Sequence, residues 1–138
     1  MIPRAVRAQI EEALLDEDEP RALALLQPYL GTDAAVWSDA GFLLDDLGQS
    51  DAALDHYARA LALDPRCVSA LVGRGKILTS RGEHAGAIED LDHALAITPD
   101  GMTYFLKACV LDEMGRDAEA NVCRAEAARL EPSLFGRK

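Results

Sequence analysis

Residues 48–65 read GQSDAALDHYARALALDP, residues 82–99 read GEHAGAIEDLDHALAITP and residues 115–132 read GRDAEANVCRAEAARLEP. Each stretch opens with Gly, keeps Ala at the sixth place and closes with Pro. Gly48 and Gly82 are 34 residues apart and Gly82 and Gly115 are 33 apart, and Pro65, Pro99 and Pro132 keep the same steps. A fixed period in this range marks stacked supersecondary units.

The apolar spacing inside each unit is helical. Trp37, Leu44 and Leu47 form one stripe before Gly48, and Leu54, Tyr57, Leu61 and Leu63 form another after it. Intervals of three, four and seven residues suit a helix and not a strand. Gly48, Gly82 and Gly115 end the first helix of each unit, Ser50 or Asp51 is expected to cap the second, and the three prolines stop the second helix from running on. Two antiparallel helices joined by a tight turn are what each unit specifies.

Composition narrows the class. The chain has 138 residues, 49% of them hydrophobic and only 5% aromatic, so its core must consist mainly of Ala and Leu at close range. With 24 acidic against 14 basic residues and a formal charge of -10, the surface repels phosphate backbones and anionic lipid and attracts basic peptides. Nucleic acid and membrane are therefore not expected as partners. No apolar run reaches bilayer length and the N-terminus carries acids where a signal peptide is apolar, so a cytoplasmic location is expected. Cys67, Cys109 and Cys123 lack metal-ligand or disulfide spacing and read as packed thiols.

In its motif positions the chain resembles the tetratricopeptide repeat family. The pattern falls on Trp37, Ala40, Gly41, Leu44, Gly48, Ala53, Tyr57, Ala60 and Pro65. It recurs on Leu71, Gly75, Leu78, Gly82, Ala87, Leu91, Ala94 and Pro99, and again on Tyr104, Ala108, Leu111, Gly115, Ala120, Ala127 and Pro132. The resemblance implies an all-α fold, a right-handed α-solenoid of antiparallel helix pairs. One domain over 1–138 is expected, with repeat units at 33–66, 67–100 and 101–132 and a short tail at 133–138. Residues 1–32 read as a degenerate helix pair, with Pro20 at a first helical position and Pro28 kinking the second helix.

Gly41, Gly75 and Ala108 are expected to face Ala53, Ala87 and Ala120, where larger side chains would hold two backbones apart. Gly73 is less expected inside a helix and reads either as a close approach on the concave face or, the favoured alternative, as drift. Arg74 and Lys107 replace the Leu of the pattern and are expected to lay their stems on the core with their charges outside. Asn121 and Arg124 stand where earlier units have apolar residues, which makes 101–132 the expected last repeat and the chain an expected monomer.

Reactive groups do not converge. His56, His84 and His93 fit no ligand spacing, EDLDH at 89–93 reads as a solvated helix face, and DEDE at 16–19 lacks the Gly and distal Glu of a calcium loop. GRGK at 73–76 is not a phosphate loop. No catalytic, metal or cofactor residues are assigned, no cofactor is expected, and the chain reads as a non-enzyme.

The family resemblance implies a working surface lined by the first helix of each unit. Asp39, Phe42, Asp45 and Asp46, then Val72 and Lys76, then Met102, Phe105, Leu106, Cys109, Asp112 and Glu113 are the expected groove residues, with Ser38 beside them. They form an apolar strip edged by carboxylates, suited to a peptide or helix with apolar anchors and basic flanks; the alternative is that Leu134 and Phe135 of the tail cover Phe105, Leu106 and Cys109 and leave no apolar site. Heat-shock cochaperones of this family hold a terminal carboxylate with Lys, Asn and Arg, and the corresponding places here are Ser38, Phe42, Gly73, Met102 and Leu106, so that clamp is absent. The leading expectation is a protein-binding scaffold. A chaperone-like reading, similar to the small acidic chaperones of type III secretion, and a self-assembling module are the alternatives.

Overall fold

The computed structural model describes residues 1–136; Arg137 and Lys138 of the expected tail lie outside the described residues. Eight α-helices follow in order: α1 (Arg4–Leu15), α2 (Glu19–Leu26), α3 (Ala34–Asp46), α4 (Ser50–Leu63), α5 (Val68–Ser80), α6 (His84–Ile97), α7 (Gly101–Glu113) and α8 (Asp117–Leu130). Short 3₁₀ turns cover Gln27–Tyr29 and Pro132–Phe135, and no strand occurs among the described residues. The helices α3, α5 and α7 have 13 residues each and α4, α6 and α8 have 14. The repeat in the sequence is thus a repeat in structure.

The turns are built alike. Gly48, Gly82 and Gly115 have φ of 79°, 75° and 75°, a left-handed conformation that a Cβ disfavours. In each, the amide three places past the last helical residue reaches back five residues: Gln49 to the Leu44 carbonyl at 2.8 Å, Glu83 to Leu78 at 2.9 Å and Arg116 to Leu111 at 2.9 Å. The α1–α2 turn makes the same bond, from Asp18 to the Ala13 carbonyl at 2.8 Å, with Glu17 at φ 54° in the glycine place. The DEDE segment is therefore a repeat turn without its glycine.

Helix starts differ from expectation. Neither Ser50 nor Asp51 caps α4; Gln49 is the N-cap and makes no side-chain bond, and α6 and α8 start the same way on Glu83 and Arg116. Side-chain caps stand instead on α2, α3 and α7, where Asp18, Asp33 and Asp100 accept from Arg21, Ala35 and Thr103 amides at 3.1, 3.0 and 2.9 Å. Of these, α3 and α7 follow the connections between helix pairs, whereas α2 carries its cap after a repeat turn that lacks the glycine of the turns before α4, α6 and α8. Pro20 is the second residue of α2, and Pro28 does not kink that helix, which ends at Leu26 before a separate 3₁₀ turn.

The chain divides into two compact units, Met1–Gly73 and Arg74–Lys138. In the first, α1, α2 and α3 share a core of Ile10, Ala13, Ala22, Leu26, Val36, Ala40 and Leu43. Tyr57 of α4, 2% exposed, is received by two glycines. A Cβ on Gly41 of α3 would lie 2.8 Å from the Tyr57 ring, and one on Gly73 of α5 would lie 2.4 Å from it. Gly73 is a site of close approach and not drift. Gly41 meets the ring of Tyr57, one helical turn beyond the expected Ala53. Ser38, expected on the working face, is 2% exposed and hydrogen-bonds Ser69 hydroxyl to hydroxyl at 2.9 Å.

The second unit repeats the approach with Leu for Tyr. A Cβ on Gly75 would stand 3.1 Å from Leu91 and 3.7 Å from the Ala87 carbonyl. Arg74 does not send its charge outside: its Nε and Nη2 each donate to the Asp90 carboxylate at 2.8 Å, and Asp90 is 4% exposed. EDLDH is accordingly not a solvated face at Asp90, although Glu89, Asp92 and His93 are exposed. The hydrogen bond to Asp90 pushes the Arg74 guanidinium up from its ordinary range against the opposing effect of burial. Lys107 likewise meets Asp92 at 2.6 Å. Arg124, in the place of Tyr57 and Leu91, binds Asp112 at 2.5 Å and Asn121 at 2.6 Å. Its guanidinium is partnered, so the argument for a monomer from an unpaired charge does not hold.

Two consequences are measurable by denaturant melting. In a helix interior Gly→Ala ordinarily stabilises by about 1 kcal/mol, yet Gly73→Ala should destabilise by about 1 to 3 kcal/mol because its methyl enters the Tyr57 ring. In a Tyr57→Ala background the same change should turn neutral or stabilising; a parent-like effect in both backgrounds would contradict the packing. Glu17→Gly should stabilise by about 1 kcal/mol, since it removes a left-handed non-glycine residue. A loss of stability there would mean that Glu17 serves some other contact.

Candidate functional site

The expected groove residues divide between the two units, Asp39 to Val72 in the first and Lys76 to Glu113 in the second. In the first unit α3 carries Asp39, Phe42, Asp45 and Asp46, none of them among its buried residues Val36, Ser38, Ala40, Gly41, Leu43 and Leu44. Phe42 is 53% exposed although it lies in mid-helix, and Asp39 and Asp46 are also exposed. Partial burial, followed by the charge of Asp33, holds the Asp39 carboxyl above its ordinary value. Asp45 is half-buried and accepts from the Ser50 hydroxyl at 3.4 Å. Burial, then Asp45, Asp46 and Asp39, push the Tyr57 phenol up to about 12. Val72 of α5 is half-buried.

The first unit also holds a feature that the sequence did not disclose. An open cavity of about 260 Å³ has Ile10, Leu26 and Leu43 of the core among its walls, together with the exposed Leu14 and Phe42. Asp39 and Phe42 line it from α3, and Arg7, Ile10, Glu11 and Leu14 line it from α1. Assigning 1–32 to a mere cover over the next unit hid this. The signal available was the run Ile10, Ala13, Leu14, in which more apolar residues occur than one buried stripe needs.

In the second unit Lys76 and Met102 are exposed, the latter by 46%. Phe105, Leu106 and Cys109 are half-buried. Leu106 packs against the cluster of Ala87, Leu91 and Val110 and is less a surface residue than expected. Phe135 of the tail stands edge-on to Phe105 with ring centroids 5.8 Å apart. Burial, then Asp112, raises the Cys109 thiol above its ordinary value. Asp112 and Glu113, expected as free rim carboxylates, are each engaged: Asp112 by Arg124, and Glu113 by His84 Nε2 at 3.0 Å.

The remaining candidate chemistry is structural. His56 lies 5.1 Å from the Trp37 ring, with Nδ1 2.9 Å from the Ala52 carbonyl, and the Trp37 indole donates to Gly31 at 2.8 Å. Cys67, Cys109 and Cys123 are free thiols. Among the described residues no group of three His, Cys, Asp or Glu could hold a metal ion, and no helix is long and apolar enough to cross a membrane.

Comparison with known proteins agrees with this architecture. The tetratricopeptide repeat family model matches residues 39–101. Tetratricopeptide repeat protein 36 of Bos taurus is 33% identical over 137 residues, covering 93% of this chain and 69% of that protein. A probable biofilm formation methyltransferase, WspC of Pseudomonas aeruginosa, is 42% identical over 57 residues, which is 41% of this chain but only 14% of that protein's length. The solved structure of YrrB, described as a TPR protein with an unusual peptide-binding site, superposes with a TM-score of 0.79 at 16% identity, over 95% of this chain and 70% of that one. Thus the periodic turns, the paired helices and the bovine relative agree: the chain belongs to the tetratricopeptide repeat family.

Proposed function

We propose that this chain is a non-catalytic scaffold that holds a peptide or helical segment of another protein against its first helices. The observation that carries the reading is the α7 face, where Phe135, a residue outside the repeated helix pair, is set against Phe105. That face already accepts an aromatic side chain from a short turn. Met102 beside it, 46% exposed, extends the apolar area. Desolvated aromatic anchors usually dominate binding, while rim charges act mainly on encounter and selection.

The net charge of -10 favours a segment with Lys or Arg beside its anchors. Because Asp112 and Glu113 are engaged within the second unit, this selection falls to Asp39, Asp45 and Asp46 of the first. A monomer binding one segment is the simplest form of the reading. The same charge also suits a small acidic chaperone, which would differ by copurifying with one largely unfolded client.

Capture from the native host and mass spectrometry would identify the partner, and truncation would reduce it to a segment. Phe105→Ala is then expected to weaken binding by about 1 to 3 kcal/mol, or roughly 5- to 150-fold, at low and high salt alike. Neutralising Asp45 and Asp46 should chiefly slow association, with an effect that fades as the Debye length falls from about 10 Å at 0.1 M to 3 Å at 1 M. A silent Phe105→Ala, together with loss of binding on substitution of exposed residues of α4, α6 or α8, would refute the assignment of the face.

A further inference from the structure

The first unit carries two adjoining hollows, a smaller one with mostly apolar walls and a larger one with three carboxylates among its walls. The smaller, of about 260 Å³, is walled by Ile10, Leu26 and Leu43 with Leu14 and Phe42 at its mouth. An engineered apolar cavity of about 150 Å³ holds benzene, so this volume admits a branched aliphatic or phenyl side chain. The larger, of about 680 Å³, has Asp33, Asp39 and Asp64 among its walls. Ile2, Arg7 and Asp39 line both.

We propose that these hollows form one bipartite site, in which the apolar cavity seats a Leu, Met or Phe side chain of a partner peptide and the acidic hollow seats a Lys or Arg one or two residues away. The proposal rests on reading the chain as a peptide scaffold and gives it a second anchor point, on the α1 and α3 walls of the first unit, separate from the α7 face. Two observations fix the occupant. Six of the nine side chains that line the smaller cavity are apolar, Ile2, Ile10, Leu14, Leu26, Phe42 and Leu43, so an apolar side chain seated there removes apolar surface from water on both partners. Charge complementarity sets the neighbour, because the walls of the larger hollow hold three carboxylates, Asp33, Asp39 and Asp64, against the Arg7 guanidinium and the Met1 ammonium. Asp33 and Asp64 each spend one oxygen on a local amide, Ala35 at 3.0 Å and Arg66 at 3.0 Å, and keep the second for a ligand.

Asp39 is where the two halves join. Its carboxyl is already held above its ordinary value by partial burial and Asp33, and an arriving ammonium or guanidinium would offset both effects. Arg7 is the opposing charge and should weaken the binding of basic peptides. The same chain thus selects for the order of residues in its ligand and not only for overall charge.

Selection of a displayed random heptapeptide library on the whole chain, followed by fluorescence anisotropy of the enriched peptides, tests this. Enriched peptides should carry a large apolar residue with Lys or Arg one or two places away, and changing that cation to Glu should weaken binding at least tenfold. Leu14→Glu and Phe42→Ala, at side chains 46% and 53% exposed, should each weaken binding at least fivefold while the melting temperature stays near that of the parent. Arg7→Glu should strengthen binding severalfold, and Phe105→Ala should leave these peptides unaffected. Peptides that bind but ignore Leu14→Glu and respond to Phe105→Ala would overturn the bipartite site and leave the scaffold reading standing. Failure to enrich any peptide on the folded chain would overturn both.

Discussion

Close approach between a small residue on one helix and a large side chain on the next organises each unit. Tyr57 can be 2% exposed only because Gly41 and Gly73 offer backbone where other residues would present a Cβ. Interiors packed to this density have no slack to absorb an added methyl, so those two positions determine how near α3 and α5 lie to α4. The second unit solves the same problem with Leu91 against Gly75. A chain with so few aromatic residues depends on such contacts, because Ala-rich helices bury enough area only when their backbones come near one another.

How the first helices meet solvent follows from that packing. With Val36, Ala40 and Leu43 turned to the core and Ser38 drawn onto Ser69, α3 directs Asp39, Phe42 and Asp46 away from it. Carboxylates and an aromatic ring thus share one exposed side of a rigid element. Rigidity matters for binding, since a surface that is already ordered loses little entropy when a ligand arrives. In the second unit, ion pairs within the unit take up Asp112 and Glu113, which stay exposed beside their partners.

The repeat architecture was legible because turn chemistry and helical stripes depend on local residue type. Gly48, Gly82 and Gly115 announced their turns, and Pro65, Pro99 and Pro132 their ends. What the sequence concealed was pairing between residues far apart in it. Nothing in the Arg74 neighbourhood discloses that Asp90 will turn inward to meet it, and Gly73 has no reason until Tyr57 is seen against it. Glu17 hid a repeat turn because the usual glycine is missing. The candidate site was legible in part: Phe42 and Asp39 were expected on an exposed side of α3 and are exposed, but the cavity that α1 lines beside them depended on three-dimensional packing around Leu26.

The central claim is that first helices, not second helices, receive the partner. Backbone amide and methyl chemical-shift mapping of the labelled chain, titrated with the captured partner segment, tests it most directly. The account predicts that the largest perturbations fall on α1, α3 and α7, centred on Leu14, Phe42, Met102 or Phe105. Perturbations centred on the exposed residues of α4, α6 or α8, such as Leu63 and Val122, with these four unmoved, would contradict it.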